Sequence, residues 1–379
     1  MIRESIRRFL DQEFTREQAR EWDRTVGYPK DVFTRLCELG ICGLTIPEEY
    51  GGAGVDIVAA IAVIEELTRR GTFLSGPFIH VAFYGGMNVS ENGSEEQKRE
   101  LLPKLAAGEI LFAYGLSEPD VGGDLASVRT TAVPSADGQT LVINGTKRWC
   151  TAAREADNIV TLARTGPKED KYKNLSLILV PTTSEGISLT DIEHTGFHYA
   201  ETTDAIFDDV TVPIENVLGG ADCLNQGWRM LAGAGLDVER IETAALAYGI
   251  AAAAVEDAWQ YSQERIQFGK PICAHQAIRH DLSTIKTQLE ACRLMMYHAA
   301  WMANEGQDCS VVSSMAKLFV AETAMDIVLT CQRIMGAYGY AAEYDMERYV
   351  RDVIVIPIAG GSSNMQKNNI ANRLGLPGR

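Results

Sequence analysis

The stretch "TLVING", residues 140–145, decides the fold, because its apolar residues follow the period of a strand while those of the chain's two ends follow the period of a helix. Its Asn144-Gly145 pair predicts a two-residue hairpin turn, since both central positions of a type I′ turn need positive φ. Strand-like runs follow, bounded by turn residues: "NIVTLAR" (158–164), "LSLILVP" (175–181) and "AIFDDVTVP" (205–213). This part of the chain is therefore expected to form a domain of short antiparallel strands.

On both sides of this region the apolar spacing is helical. Near the start of the chain Ile6, Phe9 and Leu10 recur at three and four positions, and long helical patterns cover 228–266, 275–304 and 310–336, followed by an irregular tail. We therefore predict an α+β fold in three parts. These are an N-terminal α-helical domain (1–111), a central antiparallel β-barrel or sandwich domain (112–220) and a C-terminal four-helix bundle (221–379).

Composition excludes several classes of function. A net charge of -16 argues against binding nucleic acid, which needs a basic face. The longest uncharged alanine-rich stretch, 243–255, would span only about 20 Å as a helix, too short for a bilayer core. Residues 1–20 have neither the apolar block of a secretory signal nor the composition of a transit peptide. The cysteines and histidines form no ligand pattern. We expect a cytoplasmic protein without a membrane span or a metal site.

Six segments in order along the chain carry a resemblance to the acyl-CoA dehydrogenase family. They are "IPEEYGGAG" (46–54), "LSEPDVGGD" (116–124), "RWCT" (148–151), "ERIQFGKPICAHQ" (264–276), "QRIMGAYGY" (332–340) and "RYVRD" (348–352). The resemblance covers essentially the whole chain. It implies an oxidoreductase acting on the CH–CH bond of an acyl-CoA. It also implies FAD held between the β domain and the C-terminal helices, and a homotetramer in which a neighbouring subunit completes each site.

The resemblance also implies which residues hold the cofactor. Segments matching Tyr114, Leu116 and Ser117 bind the flavin ring in the family, and those matching Trp149 and Thr151 cover it. A ring that accepts a hydride needs flat cover on one face and fixed hydrogen-bond donors at its edge. Taken alone, Trp149 would be read as a core aromatic at a strand end and Ser117 as an ordinary strand-end hydroxyl.

Further matches lie in the C-terminal part. Arg265, Phe268, His275 and Gln276 match the segment that reaches the cofactor of the partner subunit, where an arginine suits the pyrophosphate. A helix C-terminus with a cation and Gly269 as cap would look the same. The remaining cofactor matches are Gln332, Gly336, Ser362 and Asn364. Ala337 stands where the family usually has a second glycine.

The catalytic base is displaced. Most family members carry a glutamate in a tail motif similar to Tyr-Glu-Gly-Thr-x-Gln, but here Gly360 occupies that position. A minority, including isovaleryl-CoA dehydrogenases, place the glutamate on a C-terminal-domain helix before an arginine, which matches Glu239 and Arg240 in "LDVERIE" (236–242). Burial would raise the carboxylate pKa, and the Gly360 N–H would bind the enolate-like oxygen. An ordinary acid in a first helical turn is the alternative for Glu239.

The substrate positions also depart from the family. Asp237 and Arg240 match residues that line the pantetheine channel, and Gly123 replaces a serine that commonly touches the thioester. With Gly360 and Ala359, Gly123 suggests extra room and hence a short acyl group that is branched, cyclic or otherwise unusual.

Three functions therefore remain open. The first is an acyl-CoA dehydrogenase that passes electrons to an electron-transferring flavoprotein. The second is an enoyl-CoA reductase similar to the crotonobetainyl-CoA reductase type, which pairs a Gly-Gly-Ser tail with a helix glutamate. The third is a catalytically silent partner subunit of a hetero-oligomer.

Overall fold

The computed structural model describes residues 2–25 and 27–377. Over these residues the chain forms helices, then a curled sheet, then helices again, which confirms the predicted fold class. The helices of the first part are α1 (Ile2–Glu13), α2 (Arg16–Trp22), α3 (Lys30–Cys37), α4 (Ile57–Arg70), α5 (Thr72–Ile79), α6 (Asn88–Asn92) and α7 (Glu95–Ala106).

The glycine-rich segment before α4, residues 46–54, interrupts the helical pattern of the first part. A short 3-10 turn, Ile41–Thr45, precedes it and a second, Glu48–Tyr50, lies within it, and the chain folds back so closely that a Cβ on Gly52 would lie 2.0 Å from the Ile46 carbonyl oxygen. Helix α4 then begins at Asp56, whose carboxylate accepts a hydrogen bond from the Ala59 N–H at 2.8 Å.

Between α5 and α6 the helix widens into a π-helical segment, His80–Met87. Such widened turns are rare and frequently occur at functional sites. The segment is packed tightly, since a Cβ on Gly85 would lie 2.3 Å from Leu105 Cδ2 and one on Gly86 would lie 2.9 Å from Thr45 Oγ1. It presents Tyr84 towards the central sheet.

The central sheet is mixed but mainly antiparallel. Its strands are β1 (Phe112–Gly115), β2 (Thr131–Pro134), β3 (Thr140–Thr151), β4 (Asn158–Arg164), β5 (Leu175–Pro181), β6 (Ile187–Ile192) and β7 (Thr202–Pro213). The path runs β1-β4-β2-β3-β7-β6, with β5 added beside β4. Strand β1 runs parallel to β4, and β2 meets β4 in parallel at one position.

The predicted hairpin turn at Asn144-Gly145 is wrong. Strand β3 continues through both residues, and its register with β7 shifts between Ile143 and Gly145. The Asn144 side chain donates to the Asp209 carboxylate at 2.9 Å and accepts from the Asp209 N–H at 2.9 Å. Gly145 has φ +149°, and a Cβ there would lie 2.4 Å from Thr130 Oγ1. The dipeptide therefore serves a β-bulge, which likewise favours glycine.

The last part is dominated by three long helices that pack against one another: α9 (Leu236–Glu264), α10 (Gln276–Asn304) and α11 (Ser310–Met335). A short helix α8 (Gly227–Met230) precedes them, and the hairpin of β8 (Ile266–Gln267) with β9 (Lys270–Pro271) joins α9 to α10. The tail is not irregular as predicted, because α12 (Met346–Val353) and α13 (Ser363–Arg373) form there and pack on α11.

Helix α9 joins the last part of the chain to the first. Besides its bundle neighbours it packs on α4, where a Cβ on Gly249 would lie 2.7 Å from the Thr68 Cβ. Its alanine-rich middle allows this close approach on several sides. None of the helices in the described ranges is long and apolar enough to cross a membrane.

Candidate active site

The first turn of α9 carries the predicted base. Glu239 is half-buried there, just after a π-helical segment (Leu231–Gly235) that kinks at Gly233. Burial raises the pKa of the Glu239 carboxyl to about 7, although the nearby cations of Arg240 and Lys317 oppose the rise. A carboxyl with such a pKa is a stronger base than a free one and is still substantially ionised near neutral pH.

The tail glycine lies against the same part of α9. Gly360 has φ +61°, and a Cβ there would lie 2.6 Å from Thr243 Oγ1. The Thr243 hydroxyl in turn donates to the Glu239 carbonyl oxygen at 2.8 Å. The structure thus brings together the two residues that the sequence assigned to proton abstraction.

The tail loop is held by its own side chains. Buried Gln366 donates to the carbonyl oxygens of Gly360 at 3.2 Å and Gly361 at 2.8 Å. Within residues 2–25 and 27–377, no group accepts a hydrogen bond from the Gly360 N–H. That N–H is therefore a fixed donor available to a ligand.

Ser362 and Asn364 have different surroundings. The Ser362 hydroxyl caps α13 by accepting from the Met365 N–H at 3.4 Å, and Asn364 is exposed in the first turn of that helix. The cap accounts for Ser362 without a cofactor.

The segment predicted to bind the flavin ring is held by a buried ion pair. Fully buried Lys147 donates to Glu118 at 2.9 Å and to the Leu116 carbonyl oxygen at 3.1 Å, while Glu118 also accepts from the Arg129 and Thr130 N–H groups. The Lys147 charge, together with these hydrogen bonds, lowers the pKa of Glu118 despite its burial. Ser117 lies in the segment so fixed, and its hydroxyl makes no hydrogen bond among the described residues.

Trp149 has the properties of a ligand-facing side chain. It has positive φ (+66°), which is uncommon for a bulky residue, and 54% of it is exposed. The Arg148 guanidinium lies 4.9 Å from its ring centroid. Two residues on, the Thr151 hydroxyl lies 3.1 Å from that of Thr202. The prediction of a core position for Trp149 is wrong, and an exposed flat ring two residues before a threonine hydroxyl fits a planar cofactor such as a flavin.

Tyr114 faces the π-helical segment. Its ring stacks on Tyr84 with centroids 3.9 Å apart and planes within 9°. Its hydroxyl accepts a hydrogen bond from the Asn88 amide at 2.5 Å. Burial raises the pKa of both tyrosines, and Glu239 is the charge that acts most on each. Tyr114 therefore joins the sheet to the Glu239 turn.

The residues predicted to reach a partner subunit lie at the far end of α9. Phe268, at the tip of the β8–β9 hairpin, is 93% exposed and has φ +51°. His275 Nε2 lies 3.2 Å from the Gln267 carbonyl oxygen, and Gln276 begins α10. Arg265 lies over the Tyr338 ring at 5.5 Å. These groups lie on the surface of the chain.

Gln332 lies in the last turn of α11, and Gly336 follows the last residue of that helix. The Gln332 amide donates to the Gly339 carbonyl oxygen at 3.3 Å, and a Cβ on Gly339 would lie 2.6 Å from the Gln332 carbonyl oxygen. Gly336 has φ +60°, and nothing lies within 4 Å of the place that its Cβ would take. Ala337 beside it is exposed.

The predicted substrate residues fall into two places. Asp237 and Arg240 form an ion pair in the first turn of α9, and Ser313 donates to Asp237 at 3.4 Å. Gly123 lies beside α13, where an added Cβ would lie 3.3 Å from Met365 Sδ. Met365 thus occupies part of the space beside Gly123.

Sequence reasoning missed three groups near Glu239, two of them buried and one half-buried. Glu242 is 3% exposed, and burial together with the Glu239 charge raises its pKa well above 4.5. Lys317 is fully buried, donates to the Ile356 carbonyl oxygen at 2.8 Å and has its pKa lowered by burial to about 8. Tyr84 is the third. The spacing of Glu239 and Glu242, three residues apart on a helix, was the available signal.

No group of side chains in the described part of the chain could hold a metal ion. The residues around Glu239, Ser117 and Trp149 instead provide a raised-pKa carboxyl, fixed backbone donors and an exposed aromatic face. Together with the fold, these features define a flavin-dependent oxidoreductase.

Comparison with known proteins identifies the family. Three family models match in order: the acyl-CoA dehydrogenase N-terminal domain at residues 1–109, the middle domain at 113–210 and the C-terminal domain at 225–375. The chain belongs to the acyl-CoA dehydrogenase family, whose members are FAD-dependent oxidoreductases acting on the CH–CH bond of acyl-CoA thioesters.

Individual relatives are similar over nearly their whole length. An acyl-CoA dehydrogenase of Bacillus subtilis is 36% identical over 99% of this chain and 97% of its own. CarC, a subunit of the caffeyl-CoA reductase-Etf complex of Acetobacterium woodii, is 33% identical with the same coverage. The solved structure of butyryl-CoA dehydrogenase from Megasphaera elsdenii has a TM-score of 0.92 and 31% identity, and the match covers 98% of each chain.

Proposed function

We propose that this chain is an α,β-dehydrogenase of an acyl-CoA with a short, branched or cyclic acyl group, in which Glu239 removes the α-proton. The proposal depends on the observation that the predicted base and the tail loop lie at the same turn of α9. A half-buried carboxyl with a pKa near 7 lies beside a tail loop whose Gly360 N–H is unused. Electrons then pass to an electron-transferring flavoprotein.

The proposed mechanism follows from these groups. An α-proton is very weakly acidic, so its removal needs both a raised-pKa base and stabilisation of the charge that develops on the thioester oxygen. The Glu239 carboxylate takes the proton, and the Gly360 N–H donates a hydrogen bond to that oxygen. FAD held by Trp149, Ser117 and Thr151 would supply the acceptor for the hydride that leaves the β-carbon. Asp237 orients Arg240 at the mouth of the pantetheine channel.

For the cofactor we propose the segment-by-segment assignment made from the sequence. Ser117 and Thr151 would bond the ring edge, and Trp149 would cover one face. The remaining contacts would come from Tyr114, Leu116, Gln332, Gly336, Ser362 and Asn364. Arg265, Phe268, His275 and Gln276 would contact the cofactor of a neighbouring subunit in a homotetramer. The 93% exposure of Phe268 supports this, since a lone chain gains nothing from such an apolar tip.

The same groups can act in reverse, as an enoyl-CoA reductase. The similarity to CarC of a caffeyl-CoA reductase-Etf complex favours this second candidate, and also supports an electron-transferring flavoprotein as the partner. Proton removal by Glu239 in one direction becomes proton donation in the other. The direction then depends on the reduction potentials of the acyl substrate and the electron partner.

Purification followed by anaerobic titration tests the proposal. We expect the chain alone to give a yellow tetramer whose flavin bleaches with at least one saturated acyl-CoA thioester. A chain that reoxidises only with an enoyl-CoA would favour the reductase. A colourless product would favour the third function, a silent subunit in a mixed oligomer.

The role of Glu239 is tested by Glu239→Gln. This variant should retain bound flavin while kcat falls by about 100-fold or more, the usual contribution of a general base. Glu256→Gln, an exposed acid on the same helix, is the matched control and should leave kcat unchanged. Full turnover in Glu239→Gln would remove Glu239 from the mechanism.

A further inference from the structure

Glu242 is a buried carboxyl without a protein partner. It lies one helical turn after Glu239 on the same face of α9, and only 3% of it is exposed. Within the described residues its carboxyl has no hydrogen-bond or ion-pair partner, and Glu239 is the charge that acts on it. Buried carboxyls normally have such partners, so this group calls for a physical explanation.

The surroundings of Glu242 are phenolic. Tyr84 and Tyr114, the stacked pair between the π-helical segment and β1, lie close enough to Glu242 that its ionised form would add to the rise that burial causes in the pKa of each. The Tyr114 hydroxyl is occupied by the Asn88 amide, whereas the half-buried Tyr84 hydroxyl has no hydrogen-bond partner among the described residues. Two polar groups, the Glu242 carboxyl and the Tyr84 hydroxyl, are thus left unpaired beside the base.

No cation in the described part of the chain compensates for Glu242. Arg240 and Lys317 act on Glu239, and Arg240 is paired with Asp237 while Lys317 donates to Ile356. His80, in the same π-helical segment, has both ring nitrogens occupied, by the Phe112 carbonyl oxygen at 2.8 Å and the Tyr199 hydroxyl at 3.1 Å. Burial lowers the His80 pKa to about 4, so this ring is neutral. The site therefore offers hydrogen bonds without a positive charge.

A neutral carboxyl is both donor and acceptor, and a phenol is as well. Burial raises the pKa of Glu242 well above 4.5, and without a compensating cation nearby the neutral form of this carboxyl is favoured. A neutral carboxyl next to a phenol suits an uncharged oxygen substituent on the acyl group. These two groups would not neutralise the charge of a second carboxylate on the acyl group. A leucine at this position would fill the space without the cost of burying a polar group.

We propose that Glu242 and Tyr84 form a hydrogen-bonding end of the acyl pocket, which selects an acyl group bearing a hydroxyl beyond its β-carbon over the plain alkyl or aryl analogue. This inference rests on the proposed function, since it takes Glu239 as the group beside the α-carbon. A pocket built to hydrogen-bond a hydroxyl rejects the analogue that lacks it, because the pocket groups are then left unpaired.

Two matched pairs of thioesters test the proposal on the flavin-loaded tetramer. One pair is 5-hydroxypentanoyl-CoA and hexanoyl-CoA, and the other is 3-(4-hydroxyphenyl)propanoyl-CoA and 3-(4-methylphenyl)propanoyl-CoA. Within each pair a hydroxyl replaces a methyl group of similar size. We expect the hydroxyl member of at least one pair to bleach the flavin with a kcat/KM about tenfold or more above that of its partner.

Variants assign the preference to the two side chains. Glu242→Leu should abolish or reverse the ratio, Tyr84→Phe should reduce it with almost no change in volume, and Glu242→Gln should retain most of it. Glu256→Leu, the exposed acid on the same helix, should leave it unchanged.

The outcomes separate this inference from the proposed function. Bleaching at equal rates by both members of both pairs would overturn the inference and leave the dehydrogenase proposal standing. A preference that survives in both Glu242→Leu and Tyr84→Phe would overturn it as well. If no saturated thioester bleaches the flavin, the dehydrogenase proposal fails, and the inference fails with it unless the corresponding enoyl-CoA pairs show the same preference in the reductive direction.

Discussion

Burial of the proposed base should make the stability of the protein depend on pH with an unusual sign. Most carboxyls have lowered pKa values in the folded state and add stability at neutral pH. For Glu239 the pKa rises from 4.5 to about 7, so the folded state binds the proton more tightly than the unfolded state does. The free energy of unfolding therefore falls as pH rises from about 4.5 to about 7, and the loss is complete above that range.

The size of the effect can be worked out. A shift of about 2.5 pKa units corresponds to about 3 kcal/mol of destabilisation when Glu239 is ionised. For a chain of 379 residues, an unfolding entropy of about 0.8 kcal/mol/K converts this into a Tm change of about 4 °C. Glu239→Gln removes the ionisation. It should therefore raise Tm by about 4 °C at about pH 8, but only by about 1 °C at about pH 5.

The assay is a thermal scan of the flavin-loaded protein at the two pH values. Glu256→Gln serves as the control, because that side chain is exposed on the same helix and should show no pH-dependent change. An equal Tm shift of Glu239→Gln at both pH values would refute the reasoning. A lower Tm at about pH 8 would refute it too, since it would mean that the ionised carboxylate stabilises the fold.

Three further predictions concern the same region. The rate of flavin reduction should rise with pH through about 7, with about a tenth of the plateau at about pH 6 and half near pH 7, because only ionised Glu239 can take the proton. Gly360→Ala should lower both Tm and kcat, because the added Cβ meets α9 as well as straining a left-handed backbone by about 1–2 kcal/mol. Gly138→Ala, at similar φ but in open space, should show only the strain. Lys147→Met should cost about 3–5 kcal/mol and release flavin, whereas adding Glu118→Leu should restore much of the stability.

The order of elements could be predicted because apolar period is a local property of the sequence. The long helical patterns at 275–304 and 310–336 correspond within one residue to α10 and α11. Asn144-Gly145 failed as a hairpin signal because its conformation is set by Thr130 and Asp209, which are distant in sequence. Helix α13 was missed because it has no amphipathic stripe of its own and depends on packing against α11, whereas α12 is strongly amphipathic and its pattern was overlooked.

The residues of the candidate site that belong to a sequence motif could be predicted. Those that only packing brings to the site could not. The sequence singled out Glu239 and Gly360 from their motifs, and the contact of Gly360 with Thr243 supplies the geometry that no motif contains. Tyr84 and Lys317 do not belong to any motif that the sequence analysis recognised. Their proximity to Glu239 depends on how the π-helical segment and α11 meet α9, and this is a property of the folded chain alone.

The first two turns of α9 contain two acids, Glu239 and Glu242, whose environments separate their protonation states. Burial raises the pKa of Glu242 and ionisation of Glu239 raises it further, which favours the protonated form of the second carboxyl while the first acts as a base. Both groups destabilise the fold, and apolar residues of similar size would remove that cost. Glu242→Leu should therefore raise Tm while it weakens discrimination between hydroxylated and plain acyl groups. A purely structural carboxyl would behave in the opposite way, since its removal would lower Tm and leave the substrate ratio unchanged.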